Sequence, residues 1–184
     1  MKVININSEL NILIEQSIQN SRVAQKRLYE KYAPKLLSIC RQYITDIYNA
    51  EDVMVASFMK IFTHLHTFEQ RGNFEAWIRR IAVNESISFI RTRKQIIYGE
   101  EILEIECKNT SVENKLITDD IQNMIDLLPE GCKMVFILFA VEGYKHHEIS
   151  DMLHINEGTS KSQVAYARKL LQQMLESDKI TSHG

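Results

Sequence analysis

The sequence predicts an all-α protein of two helical domains joined by an acidic linker, and three observations carry that expectation. The 184 residues include only 6 glycines and 2 prolines, too little punctuation for the many turns of a sandwich or barrel. Apolar residues make up 45% of the chain, enough to build cores, and they recur at helical spacings over most of it. That periodicity fades between Gln95 and Thr118, where acidic residues gather, and returns at Ile121. The expected division is a first domain over 8–94, a linker over 95–120 and a second domain over 121–176.

The first helix is expected over Ser8–Gln19, with Leu10, Ile12, Leu13, Ile14 and Ile18 as candidate buried positions. Pro34 suits the first turn of a second helix carrying Leu36, Leu37, Ile39, Cys40 and Tyr43. A third spans Ala50–Leu65, where Met54, Phe58, Ile61 and Leu65 form an ordinary core stripe. Its other side carries Asp52, Val55, Ala56, Met59 and Thr63, so two sizeable apolar residues point away from that core. Periodicity alone leaves two readings equally open, a helix buried on both sides and a protein-docking surface.

After a loop at His66–Gly72, a fourth helix is expected over Asn73–Arg93. Phe74, Trp77, Ile78, Ile81 and Ala82 give it an apolar stripe. Arg80, Asn84, Ser88 and Arg91 line another face, where paired donors and acceptors can meet phosphates and base edges. Most such faces are merely solvated. Here Phe68 lies in the preceding loop, and aromatic side chains beside a basic track are how unstacked bases are held.

Residues 144–175 have the pattern of a helix-turn-helix. A short helix over Lys145–Leu153 turns Ile149, Met152 and Leu153 inward, and His154-Ile155-Asn156 makes the turn. The next helix begins near Glu157-Gly158-Thr159 and buries Val164, Ala167, Leu171 and Met174. Its other side is expected to show Ser162, Tyr166 and Lys169, flanked by Lys161, Gln163 and Arg168. A polar, partly basic outer face suits a recognition helix in a major groove, although helical hairpins with solvated faces are common.

The net charge of −2 hides a basic block and an acidic one. Residues 71–94 carry a balance of +4 and residues 99–126 one of −6, which matters because local fields steer partners. No apolar run reaches about 18 residues, so no membrane insertion is expected. The N-terminus lacks the apolar stretch of a secretory signal, which points to a cytoplasmic protein. Cys40, Cys107 and Cys132 are too few and scattered for a disulfide framework or a cysteine-based zinc site. His64 and His66, or His146-His147-Glu148, could be imagined as metal or acid–base sites. Adjacent helical histidines diverge by about 100°, however, and neither HExxH spacing, a phosphate-binding glycine loop nor a nucleophile elbow is present. No catalytic residue, metal site or cofactor is expected.

In the second half, Leu128-Pro129-Glu130, Val135-Phe136, Glu142-Gly143-Tyr144, Glu148-Ile149, Ile155-Asn156-Glu157-Gly158-Thr159, Lys161-Ser162 and Ala167-Arg168 resemble region 4 of extracytoplasmic-function sigma factors. These are promoter-specificity subunits of bacterial RNA polymerase. The first half is similar to their region 2 at Ala50-Glu51-Asp52, Phe58, Lys60, Arg71-Gly72, Phe74, Ala76-Trp77-Ile78, Arg80-Ile81-Ala82, Asn84 and Arg91. Each motif is weak alone; the ordered set, over about Ala24–Leu175, is strong.

The resemblance implies a transcription initiation factor whose partners are core RNA polymerase and promoter DNA, with regulation by a separate anti-sigma protein common in the family. It implies polymerase docking through Asp52, Val55, Ala56 and Met59. It implies −10 element binding by Phe68, Asn73, Arg80, Asn84 and Arg91, including capture of a flipped base. For the −35 element it implies Thr159, Lys161, Ser162, Gln163, Tyr166 and Arg168. The acidic linker would thread through the polymerase. Several residues depart from the pattern. Val55-Ala56 stand where a Gln-Glu pair is usual, Ser88 where an Asp is, His154 where a turn glycine is, and Gln163 where a basic residue is common. Competing readings are a helix-turn-helix regulator that works without polymerase, which leaves residues 50–94 unexplained, and an interaction protein that has lost promoter binding.

Overall fold

Helix follows helix in the computed structural model, which describes residues 6–69, 72–98 and 121–181; no strand occurs among them. Contacts divide the chain into two compact units, with the division between Arg91 and Thr92. The expected linker lies largely outside the described residues, as does Arg71 of the Arg-Gly pair.

In the first unit α1 (Ile6–Ile18) ends at Asn20, whose φ of 61° is the left-handed conformation that Asn tolerates better than most residues. Three helices then start on side-chain caps. Ser21 Oγ accepts from Ala24 N (3.4 Å) to open α2 (Arg22–Tyr43), and Asp46 Oδ1 accepts from Asn49 N (2.8 Å) to open α3 (Ile47–His64). A single 3₁₀ turn, Leu65–Thr67, closes α3, and Asn73 Oδ1 accepts from Ala76 N (3.2 Å) at the start of α4 (Phe74–Tyr98).

The core of this unit is built from Ile14, Leu28, Leu36, Ile61, Leu65, Ile78 and Val83, all fully buried. Small polar residues let helices approach within it. Cys40, Ser57 and Ser86 are each 0% exposed, and the two hydroxyls donate back to Val53 O (2.7 Å) and Ala82 O (2.8 Å) on their own helices. Burial pushes the Cys40 thiol above its ordinary value, partly offset by the polar neighbourhood of Ser86 and Ser57. Tyr29 and Phe58 pack with their rings tilted at 49° and 4.6 Å between centroids, fastening α2 to α3.

Two expectations fail here. Pro34 does not start a helix; α2 runs through it for 22 residues. An interior proline costs about 3 kcal/mol, but Pro34 sits on the exposed side, where the carbonyl it strands can meet water. Ala24, Leu28 and Tyr32 before it and Leu36, Ile39 and Cys40 after it share one buried stripe, and that burial outweighs the lost bond. Ile12 and Ile18 are not core residues either, being 52% and 39% exposed; the inward face of α1 is Leu10, Leu13, Ile14 and Ser17, with Ser17 O accepting from Gln25 Nε2 of α2.

The second unit comprises α5 (Ile121–Asp126), α6 (Glu130–Phe136) continued by a π turn at Ile137–Val141, α7 (His146–Leu153) and α8 (Glu157–Thr181). Val135, Ile137, Leu138, Ile149, Leu153, Val164 and Ala167 form its core. Lys133 is only 5% exposed and pairs with Asp126 at 2.5 Å, holding α5 against α6. Gly143 takes φ 78° between the π turn and α7, a conformation L-residues rarely adopt.

Candidate functional site

Three surfaces bear on function, each positioned by the helices just described. On α3 the core stripe of Val53, Met54, Phe58 and Ile61 faces inward, which forces the intervening positions outward. Asp52, Val55, Ala56 and Met59 are all exposed; Val55 is 49% and Met59 65% accessible. This excludes a helix buried on both sides. Sequence periodicity missed Tyr48, which is 75% exposed and precedes Asp52 by one turn. Tyr48, Asp52, Val55 and Met59 follow at spacings of four, three and four and so share one stripe, the signal from which Tyr48 could have been found. Large apolar side chains clustered on one exposed helix face mark a protein interaction surface.

The second surface surrounds the turn between α3 and α4. Phe68 is half-buried, its ring 5.2 Å from Phe74 and 5.5 Å from Trp77, with Phe74 and Trp77 stacked at 5.9 Å. The ring is thus fixed by aromatic packing while part of it meets solvent. Asn73 is exposed, with its side-chain oxygen committed to the helix cap and its amide left outward. Along α4, Arg80 and Asn84 are exposed and Arg91 is half-buried. Glu85, between them, is held by Lys60 of α3 at 2.5 Å, which removes one carboxylate from competition with an anionic ligand.

The third surface is the helix-turn-helix. Lys145 N donates to Glu148 Oε2 (2.7 Å) at the start of α7, and Ser150 Oγ donates to Ile155 O (2.6 Å) across the turn. His154, in place of a glycine, takes the left-handed φ of 53° that the turn demands. On α8, Lys161, Ser162 and Arg168 are exposed and Thr159 is half-buried. Lys161 reaches Glu157 at 2.7 Å, and that hydrogen bond holds the Glu157 carboxyl below its ordinary range.

Two expected members of this face are corrected. Gln163 is 4% exposed and lies with Ser160, Val164 and Ala167 on the buried side of α8. Tyr166 is half-buried against the cluster of Leu128, Cys132 and Ala167. The outward stripe is instead Lys161, Ala165, Arg168 and Gln172, at spacings of four, three and four. A 25-residue helix crossing α6 and α7 buries a wider band than the single apolar stripe of Val164, Ala167, Leu171 and Met174, and that band takes in Gln163 and part of Tyr166.

Elsewhere, His64 Nδ1 lies 2.9 Å from Lys60 O on its own helix, and His146 packs on Phe139. No group of three His, Cys, Asp or Glu able to hold a metal occurs among the described residues. No described helix is long and apolar enough to cross a membrane.

Fold and surfaces together define a two-unit helical protein of the helix-turn-helix, nucleic-acid-binding class. Residues 28–96 match Sigma-70 region 2 and residues 118–171 match Sigma-70 region 4. The chain is 24% identical over 180 residues to the ECF RNA polymerase sigma-E factor of Haemophilus influenzae, covering 89% of this chain and 94% of that one. It is 29% identical over 153 residues to the RNA polymerase sigma factor SigZ of Bacillus subtilis, covering 81% and 85%. Among solved structures, the sigma factor RpoE of Bartonella quintana, determined with the anti-sigma factor NepR, matches at a TM-score of 0.51 and 24% identity, over 83% of this chain and 97% of that one. The chain belongs to the extracytoplasmic-function sigma factors. It is a transcription initiation factor that binds core RNA polymerase and directs it to promoters.

Proposed function

We propose that the two units divide the work of promoter recognition by surface chemistry. The first, over 8–94, docks on polymerase through Asp52, Val55, Ala56 and Met59, with Tyr48 extending the contact. It binds the −10 element through Phe68, Asn73, Arg80, Asn84 and Arg91, the fixed aromatic ring stacking an unpaired base and the α4 cations meeting the backbone. The second, over 121–176, places α8 in the major groove of the −35 element through Thr159, Lys161, Ser162 and Arg168. The linker spans 95–120. The protein works in the cytoplasm, where its polymerase is, and carries out no catalysis of its own. Because the RpoE relative of Bartonella quintana is bound by an anti-sigma factor, a separate inhibitory protein is proposed for this chain also.

The observation that carries this reading is the exposed apolar stripe on α3, with Val55 and Met59 49% and 65% accessible. The loss of the usual Gln-Glu pair makes docking depend more on apolar burial and less on polar contacts. The test is site-specific photocrosslinking in the assembled polymerase complex. A probe at Met59 should crosslink to polymerase and not DNA, and one at Lys161 to promoter DNA and not polymerase. Crosslinks from Met59 to DNA, or none from Met59 to polymerase, would overturn the division.

A further inference from the structure

Phe139, His146, Ser160 and Arg168 form a connected set within the second unit, drawn from four places in its sequence. Phe139 lies in the π turn after α6, His146 opens α7, and Ser160 and Arg168 lie two turns apart on α8. The His146 ring stacks on Phe139 with centroids 4.5 Å apart and planes 15° from parallel. His146 Nδ1 is 3.0 Å from Oγ of Ser160, a residue with no exposed surface. Arg168 Cζ lies over the same Phe139 ring, 5.5 Å from its centroid.

Arg168 is exposed and shares the outward stripe of α8 with Lys161 and Ala165. A free arginine on such a face spreads over many rotamers, and that freedom is lost on binding. An aromatic face held in place removes much of that freedom. It also leaves the guanidinium edge, with its N–H donors, open to a phosphate oxygen. Recognition helices read bases from their N-terminal residues, and Arg168 lies about three turns in, where the helix passes the sugar–phosphate backbone.

We propose that Phe139, pinned by His146 and Ser160, is a positioning residue that presents Arg168 to a DNA phosphate beside the bases read by α8. The proposal rests on α8 being the DNA-contacting helix. It makes Arg168 a contact for affinity rather than sequence.

The experiment measures binding of the polymerase complex to a promoter duplex selected from a random pool, between about 50 and 200 mM salt. Arg168→Gln should weaken binding about five- to tenfold, equally for selected and unselected duplexes, and lower the salt slope by about 0.9. Phe139→Leu should weaken it about two- to fivefold, Phe139→Tyr should bind as the parent does, and Phe139→Leu should have no further effect once Arg168 is Gln. Equal loss from Phe139→Leu in both backgrounds would mean that the ring only supports the fold, and would overturn the proposal. An unchanged slope in Arg168→Gln would overturn it even if Phe139→Leu failed to fold. Lys161→Ala separates the two levels. If it weakens binding while Arg168→Gln does not, α8 still reads DNA and only the positioning role falls; if both are inert, the reading of α8 falls with it.

Discussion

The outward faces of α3 and α8 are built by the same helical geometry yet carry opposite chemistry. Both helices bury one stripe in a core and turn another to solvent. On α3 the outward stripe offers Tyr48, Val55 and Met59, which gain free energy only by leaving water against another apolar surface. On α8 it offers Lys161, Arg168 and Gln172, polar groups that would lose free energy in such a contact, the two cations pairing well with phosphates. The contrast teaches that an outward face identifies its partner by what the partner must supply, and on the proposed division similar helices hold protein and DNA.

The largest effect should come from inverting the α3 face. Val55→Asp with Met59→Asp replaces two apolar contacts, each worth about 1.5–3 kcal/mol when buried, with charges that must be desolvated. Polymerase affinity should fall at least about 100-fold in a binding titration, with helical content unchanged by circular dichroism because both positions are exposed. Unchanged affinity would show that the α3 stripe is ordinary surface, and the comparison would lose its first half.

A smaller effect separates the two sides of α8. Lys161→Ala with Ser162→Ala should reduce transcription from a promoter with a −35 element about tenfold and leave polymerase binding intact. Gln163→Ala should do something different. Its buried side chain supports the fold, so the cost should be about 1–2 kcal/mol of stability, read as a lowered unfolding midpoint, with −35 preference retained. Altered −35 preference in Gln163→Ala would return it to the reading face.

The same residues show what was legible beforehand. The helical runs of the first unit and their order followed from spacing, as did the start of α4 at Asn73, whereas the caps at Ser21 and Asp46 that open α2 and α3 did not. Val55 and Met59 were legible as a second apolar face, but not as exposed, because periodicity shows that two faces exist and not whether something covers one. Pro34 misled because a local rule about helix starts was outweighed by the buried stripe on both sides of it. Gln163 and Tyr166 lie off the apolar stripe by spacing yet are buried and half-buried, because spacing shows where a buried band is centred and not how wide it is. Phe139, His146 and Arg168 could not be joined at all, since only the packing of three helices brings them together.

The units should also differ toward pH. In the first, burial raises the pKa of Cys40, and burial followed by the nearby Glu75 carboxylate raises that of Tyr32. A raised acid favours the fold while neutral. Its contribution is complete below the unfolded values, 9.0 and 10.0, and is lost as pH climbs through the raised ones. In the second unit the Glu157 carboxyl is lowered, so its small surface contribution is present above 4.5 and lost as pH falls. Resistance to denaturant should therefore fall in alkali, and Cys40→Ala should soften that alkaline fall. An identical pH profile in the variant would assign the loss to other groups.

The smallest effect sharpens the turn of the helix-turn-helix. His154 holds φ 53° with its side chain exposed, and a side chain in the left-handed region carries about 1–2 kcal/mol of strain. Glycine removes the strain but adds backbone freedom to the unfolded chain, worth up to about 1 kcal/mol in the other direction. His154→Gly should therefore stabilise the protein by no more than about 1 kcal/mol, seen as a rise of a few degrees in the unfolding midpoint. Because the backbone keeps its path, α8 stays where it is and promoter preference should not move. A changed preference would mean that His154 itself touches DNA, extending the reading surface from α8 into the turn.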